Sequence, residues 1–292
     1  MARTTNLKVA VLGSTGMLGS MVTRFLASQP EYKLATPPRF FLDATRTSLY
    51  EIKKILRGHN YVINCIGIIK PRINEQESDS VQCAIEVNSL FPHLLAAAAE
   101  RVGCRVLQIA TDCVYSGQTG SYTESSPHDA LDVYGKTKSL GEVRSPAARH
   151  LRCSIIGPEG EGRPKDSLLE WFLSHPRGAT VKGFTNHRWN GITTLAFAKI
   201  CHGIMRDRLW KVLPAIQHVV PYNSVTKAEL LSHFAYFYHR EDASIGEVVA
   251  QTPVDRTLST LVTALNEELW QAAGYGKPPC IQQMVEELVA YR

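Results

Sequence analysis

Short apolar runs and longer segments with apolar positions three and four apart alternate along the first part of the chain. "LKVAVLG" (7–13) is β-branched-rich and ends in glycine, the pattern of a strand buried on both faces. "MLGSMVTRFLASQ" (17–29) has helical spacing, and "YKLAT" (32–36) reads as a second strand stopped by Pro37 and Pro38. "YEIKKILRGH" (50–59) predicts a helix and "YVINCIGII" (61–69) a third strand. A long alanine-rich helix over 80–103 and a strand over 105–115 follow. Strands alternating with helices imply right-handed βαβ units and a doubly wound parallel α/β sheet covered on both faces.

The rhythm changes after residue 157. "EGEGRPKD" (159–166) is polar, rich in glycine and proline, and loop-like. Beyond it come the helical patterns "SLLEWFLSH", "TTLAFAKICHGIM", "TKAELLSHFAYFY" and "IQQMVEELVAY", separated by irregular stretches. The expectation is a nucleotide-binding unit over 1–157 and a smaller, mostly helical unit over 158–292, some of whose segments return to the sheet.

Composition narrows the classes. The 292 residues carry a net charge of +5 with no long run of like charges, which gives little support to nucleic-acid binding. The apolar runs are too short to span a bilayer, and no cationic segment leads into an apolar signal core, so no membrane partner and a cytoplasmic setting are expected. Seven cysteines without a CxxC pair read as reduced thiols, most of them in cores, and no metal site is expected.

"GSTGMLG" sets Gly13, Gly16 and Gly19 between the first strand and the first helix. Glycines there let the backbone turn tightly and approach a pyrophosphate, toward which the helix N-terminus points free N–H groups. A tight turn without a ligand would use the same residues. The acidic residue that often closes the second strand, where it holds a ribose, is absent. With Arg39 close by, this favours NADPH, with NADH open; a solvated Arg39 is the alternative. Asp43 either closes a short extra strand and meets the adenine amine or caps the next helix.

"DVYGKTKSLGE" (132–142) puts Tyr134 and Lys138 on one helix face. A lysine beside a phenol stabilises the phenolate and lowers its pKa toward neutrality, which would make tyrosine a useful acid or base. A Tyr-x-x-x-Lys also arises by chance as an exposed pair. Thr111, at the end of a predicted strand, sits where such a sheet opens onto its ligand crevice.

The segments "VLGSTGMLG" (11–19), "VINCIG" (62–67), "VNSLFPHLLAAAAERVGCRVLQIATDCVYSG" (87–117), "YTESSPHDALDVYGKTKSLGE" (122–142) and "LRCSIIGPE" (151–159) resemble the extended short-chain dehydrogenase/reductase superfamily. Within it, the similarity is closest to dTDP-4-dehydrorhamnose reductase-like proteins. It is strong through residue 157, with "NSVTKAELL" (223–231) and "VDRTL" (254–258) as thinner matches beyond.

The resemblance implies a Rossmann-type domain and NAD(P)H-dependent reduction of a nucleotide-linked keto sugar, a 4-keto-6-deoxyhexose first, in deoxysugar or polysaccharide biosynthesis. Gly13, Thr15, Gly16, Met17, Leu18 and Gly19 would hold the pyrophosphate, and Cys65, Ile66 and Gly67 the adenosine–ribose side. Tyr134 would transfer the proton, Thr111 would bond the substrate oxygen, and Lys138 would hold the nicotinamide ribose. Asp112 and Cys113 would face the sugar, while Asn88 ties a helix to the active-site strand. Ile155 stands where the family shows an aromatic residue, and Cys113 where most members have tyrosine, which points to a different sugar. "VKGFTNHRWNGITT" (181–194) is the candidate substrate loop, with Trp189 and Asn190 against the sugar or, alternatively, Trp189 in the core. An epimerase or dehydratase of the superfamily, and a non-catalytic dinucleotide-binding regulatory subunit, stay open, as does a homodimer.

Overall fold

β-Branched residues bounded by a glycine turn start the central sheet. In β1 (Leu7–Leu12), Val9 and Val11 face one apolar core and Ala10 and Leu12 the other, all essentially buried. Alternation with both faces covered marks a central parallel strand, each large side chain so buried contributing about 1.5–3 kcal/mol. In this computed structural model, which describes residues 6–160 and 162–291, β1 is followed by α1 (Met17–Ala27), β2 (Tyr32–Ala35), α2 (Leu49–Leu56) and β3 (Tyr61–Asn64). Then come α3 (Ser78–Ile85), α4 (Phe91–Val102), β4 (Arg105–Ala110), α5 (Val133–Leu140), β5 (Ala148–Arg152) and β6 (Ile155–Ile156). Residues 1–5 and 292, at the outer ends of the two expected units, and Glu161 in the polar loop lie outside the described residues.

The remainder comprises α6 (Leu168–Leu173), β7 (Thr180–Phe184), β8 (His187–Trp189), β9 (Ile192–Thr193), α7 (Thr194–Arg206) and β10 (Ile216–His218). It ends with β11 (Val225–Thr226), α8 (Lys227–Phe237), β12 (Ser244–Val248), β13 (Val254–Asp255), α9 (Thr263–Ala272) and α10 (Ile281–Ala290). The central sheet is six-stranded and parallel, in the order β10-β5-β4-β3-β1-β2. The chain leaves β1 toward β2 on one side and returns to β3 on the other, so the switch point lies between β1 and β3. Helices α1 and α7 pack together on one face, and α2 and α4 on the other.

Several elements differ from the sequence reading. The helix expected over 80–103 is α3 and α4 joined through a π-helical turn at Glu86–Leu90. The strands expected over 61–69 and 105–115 stop at Asn64 and Ala110, where side-chain hydrogen bonds replace ladder pairing. The Asn64 carboxamide donates to Gln108 (2.7 Å) and accepts from the Ile66 N–H, and Thr111 caps a 3₁₀ turn at Asp112–Val114. The second half holds more sheet than expected. β8 pairs with β11 and β13, β7 with β12, β9 with β6, and β10 joins the central sheet. Among the described residues no helix is long and apolar enough to cross a membrane.

Two histidines in this sheet set an acid limit on stability. His150 on β5 has an Nε2 bonded to the Val143 carbonyl and an Nδ1 without a partner among the described residues, and burial pushes its pKa down to about 3. Burial, with Arg152 beside it, pushes His218 on β10 down to about 4. Both are neutral when folded and titrate near 6.5 when unfolded, so between those values the unfolded chain binds more protons. Their contribution is complete above about pH 6.5 and declines as pH falls toward 4, by up to ~1.4 kcal/mol per pH unit for each histidine. Urea unfolding should show a lower midpoint at pH 5 than at pH 7.5; equal midpoints would contradict it.

Candidate active site

The glycine turn is shaped by close approach. Gly13 has φ +75°, and a Cβ there would meet Ile66 Cγ1 and the Cys65 and Ile66 backbone at 3.0–3.1 Å. A Cβ on Gly19 would lie 2.1 Å from the Gly13 carbonyl oxygen, so α1 can start against the turn only with glycine there. The turn closes through a 3.0 Å bond from the Gly16 N–H to the Gly13 carbonyl. Gly16 caps α1 without a side-chain acceptor, which leaves the first-turn N–H groups of Met17 and Leu18 pointing outward at the positive end of the helix. This cradle, with Thr15 at its rim and Cys65, Ile66 and Gly67 beside it, fits a dinucleotide pyrophosphate.

Past β2, Arg39 is exposed and its Nε donates to Asp43 at 3.1 Å. The Asp43 carboxylate accepts the Thr45 N–H and hydroxyl, which holds its pKa down at about 2. Asp43 neither closes a strand nor caps the next helix. The segment after Arg39 is a turn rather than a strand, and α2 is capped by Ser48 with Glu51 in a reciprocal capping box. Asp43 instead organises the 43–47 turn, because its two acceptor oxygens sit within reach of the next donors in the chain.

At the C-terminal end of β4, the Thr111 hydroxyl accepts the Cys113 N–H (3.1 Å), donates to Asp112 (3.2 Å), and meets the Tyr134 phenol. Tyr134 gets there because Gly135 lets α5 press onto the 3₁₀ turn: a Cβ at 135 would be 2.5 Å from the Cys113 carbonyl oxygen and 2.4 Å from Ala130 Cβ. The N-cap Asp132 accepts the Gly135 N–H (2.8 Å) and binds Lys70 (2.9 Å). Asn88, from the π turn, bonds Ile68 on both its N–H and carbonyl and reaches the Thr137 hydroxyl. It thereby ties the segment after β3 to α5, rather than a helix to the strand that ends at Thr111.

Lys138 lies one turn from Tyr134, and its ammonium donates to the Ile109 carbonyl at 3.3 Å. Burial depresses its pKa, opposed by Glu142. The phenol does not behave as expected. Burial, then the charges that Cys113 and Asp112 carry when ionised, raises the Tyr134 pKa above the ordinary phenol value, and the neighbouring Thr111 hydroxyl opposes the rise. Desolvating a phenolate outweighs one neighbouring hydroxyl. Tyr134 therefore keeps its proton at pH 7.

Asp112 is buried and its pKa rises through desolvation, resisted by the positive charges of Arg256 and Lys227. The Cys113 thiol is pushed up to about 12, again by burial. Lys227 and Arg256, both from the second half, are functional candidates missed in the sequence, although "NSVTKAELL" and "VDRTL" contain them. The 181–194 stretch is not a loop but contributes β7, β8 and β9. Trp189 packs into the large core cluster, and both ends of the Asn190 carboxamide are spent on the Leu258 backbone (2.7 and 2.8 Å). The Asn190 carboxamide thus ties the turn between β8 and β9 to the segment after β13.

The strand order, the glycine turn at the switch point, and Tyr134, Lys138 and Thr111 at the C-terminal end of β4 define a doubly wound α/β protein of the Rossmann type. Residues 7–156 match the family described as RmlD substrate binding domain, and the chain belongs to that family. It is 30% identical over 166 residues to dTDP-4-dehydrorhamnose reductase of Mycobacterium tuberculosis (strain ATCC 25618 / H37Rv), covering 53% of this chain and 52% of the relative. It is 26% identical over 185 residues to methionine adenosyltransferase 2 subunit beta of Danio rerio, covering 59% and 55%. These matches span about half the length of the relatives. Among solved structures, dTDP-4-dehydrorhamnose reductase from Bacillus anthracis in complex with NADP superposes with a TM-score of 0.76 at 17% identity, over 98% of this chain and 100% of the other.

Proposed function

We propose that the protein reduces a nucleotide-linked keto sugar, a 4-keto-6-deoxyhexose first, using NADPH. The observation that carries the reading is the meeting of the Tyr134 phenol with the Thr111 hydroxyl at the end of β4, two strands along the sheet from β1 and its glycine turn. NADPH, when bound, supplies the hydride. The cradle residues Gly13 to Gly19 would hold its pyrophosphate, Cys65 to Gly67 its adenosine side, and Lys138 its nicotinamide ribose.

Tyr134 gives its proton to the carbonyl oxygen as negative charge grows there, and its raised pKa keeps that proton in place at neutral pH. Thr111 turns its hydroxyl from Asp112 to the same oxygen. Asp112 and Cys113 line the sugar side, with Lys227 and Arg256 supplying positive charge above them. The unit built on residues 1–157 would bind the dinucleotide, and that on 158–292 the substrate.

NADPH is favoured over NADH because β2 ends without a carboxylate and Arg39 spends only its Nε on Asp43. Arg39→Ala is expected to weaken NADPH about tenfold or more, the usual worth of a charge-assisted contact, and leave NADH unchanged. Calorimetry showing equal losses for both would assign Arg39 to the 43–47 turn alone.

A panel of nucleotide-linked 4-keto sugars, assayed for oxidation of NADPH and NADH, tests the function. Turnover of one member supports it. The similarity to a methionine adenosyltransferase subunit favours a second reading, a non-catalytic dinucleotide-binding subunit. Tight dinucleotide binding without turnover of any member would put that reading first.

A further inference from the structure

The polar loop after β6 does not stay in solvent. Arg163 reaches back 148 residues to the glycine turn, where its Nε donates to the Thr15 carbonyl (3.3 Å) and a terminal nitrogen donates to the Thr15 hydroxyl. The approach is built in. A Cβ on Gly160 would lie 2.3 Å from the Thr15 carbonyl oxygen, so only glycine lets the loop come this close. The Arg163 N–H closes a turn onto the Gly160 carbonyl (3.1 Å), and further along Asp166 is anchored by Arg72 (2.7 Å).

This places a guanidinium beside the N-terminus of α1, the positive end of an eleven-residue helix whose first N–H groups have no side-chain cap. A cation is electrostatically unfavourable there, where anions are stabilised. Among the described residues no carboxylate pairs with Arg163 to offset it. Two positive groups converging without an anion between them make sense if the anion is a ligand. A guanidinium with donors left over on one edge suits a phosphate oxygen pair.

We propose that Arg163 is a diphosphate clamp. It closes over the glycine turn at Thr15, next to the start of α1, and binds the diphosphate of the dinucleotide, an assignment that rests on the cofactor reading above. Thr15 positions the fork through its carbonyl and hydroxyl.

The test compares wild type, Arg163→Ala and Arg163→Lys, measuring Kd by calorimetry for NADPH, NADH and UDP. The clamp predicts that Arg163→Ala weakens NADPH and NADH alike, by about ten- to a hundredfold, and leaves UDP unchanged. Arg163→Lys should fall between, since a lysine keeps the charge but not the fork. Dinucleotide affinities unchanged in Arg163→Ala overturn the clamp. A loss confined to NADPH also overturns it, by assigning Arg163 to the 2′-phosphate. So does a loss confined to UDP, which assigns it to the substrate's diphosphate. Wild-type protein that binds neither dinucleotide overturns the cofactor reading and the clamp with it, whereas wild-type binding with unaffected variants removes the clamp alone.

Discussion

Tyr134→Phe should lower turnover of a competent keto-sugar substrate by about two to four orders of magnitude, the usual worth of one general acid. The substitution removes only a hydroxyl. The buried ring is kept, so fold and cofactor affinity should survive. Two companions separate the roles. Lys138→Ala should cost dinucleotide affinity as well as turnover, because the ammonium also fixes α5 to the Ile109 carbonyl. Thr111→Ala should cost turnover with little change in cofactor affinity, because the Thr111 hydroxyl bonds Asp112 and the Cys113 N–H rather than the glycine turn. The raised phenol pKa adds a pH signature. Wild-type turnover should not decline through pH 7–9 from loss of the Tyr134 proton. Near-full activity in Tyr134→Phe would end the catalytic assignment.

What the sequence revealed about this site follows from how local each feature is. The glycine turn lies within seven residues, and its glycines are required by contacts inside that same turn and the neighbouring 65–66 backbone. Tyr134 and Lys138 share one helix, so a fixed spacing carries the geometry. Gly135, in the first turn of α5, is a weak helix former whose place there is explained by the Cys113 carbonyl and Ala130 pressed against it. The features that escaped are non-local. Pairing of β7 with β12 and of β8 with β13 joins residues more than 60 apart through short strands of mixed polarity, which no window along 181–194 reveals. Trp189 and Asn190 looked available because their partners, the core and the Leu258 backbone, are distant in sequence. The phenol pKa escaped for a related reason, since spacing reports the neighbouring lysine but not the burial that outweighs it.

The largest stability effect should come from a pair that no motif announces. Arg152, at the end of β5, is fully buried, and Glu142, two residues past α5, nearly so. The Arg152 Nε donates to Glu142 at 3.0 Å, and a terminal nitrogen pairs with its other oxygen. The remaining donors go to the Tyr115 hydroxyl (2.6 Å), His218 Nε2 (2.7 Å) and His128 Nε2 (2.9 Å). Arginine can only donate, so both Nε2 atoms carry lone pairs, and His218 keeps its proton on Nδ1 against the Ser259 carbonyl. Every partner is thus set to receive one fixed cation whose counter-charge is Glu142.

Glu142→Gln keeps the shape but leaves that cation uncompensated, and removing one member of such a pair typically costs about 3–5 kcal/mol. Arg152→Met should cost a similar amount, leaving the carboxylate alone in a desolvated site. In the double variant neither charge is stranded, so its loss should fall short of the sum of the singles by about 0.5–3 kcal/mol. Glu142 also favours the charged form of Lys138, so Glu142→Gln should weaken dinucleotide binding measurably even at temperatures where the protein stays folded. Urea unfolding of the four proteins, with NADPH titrations on each, checks both parts. Additive single effects, each below about 1 kcal/mol, would reduce the pair to an incidental contact.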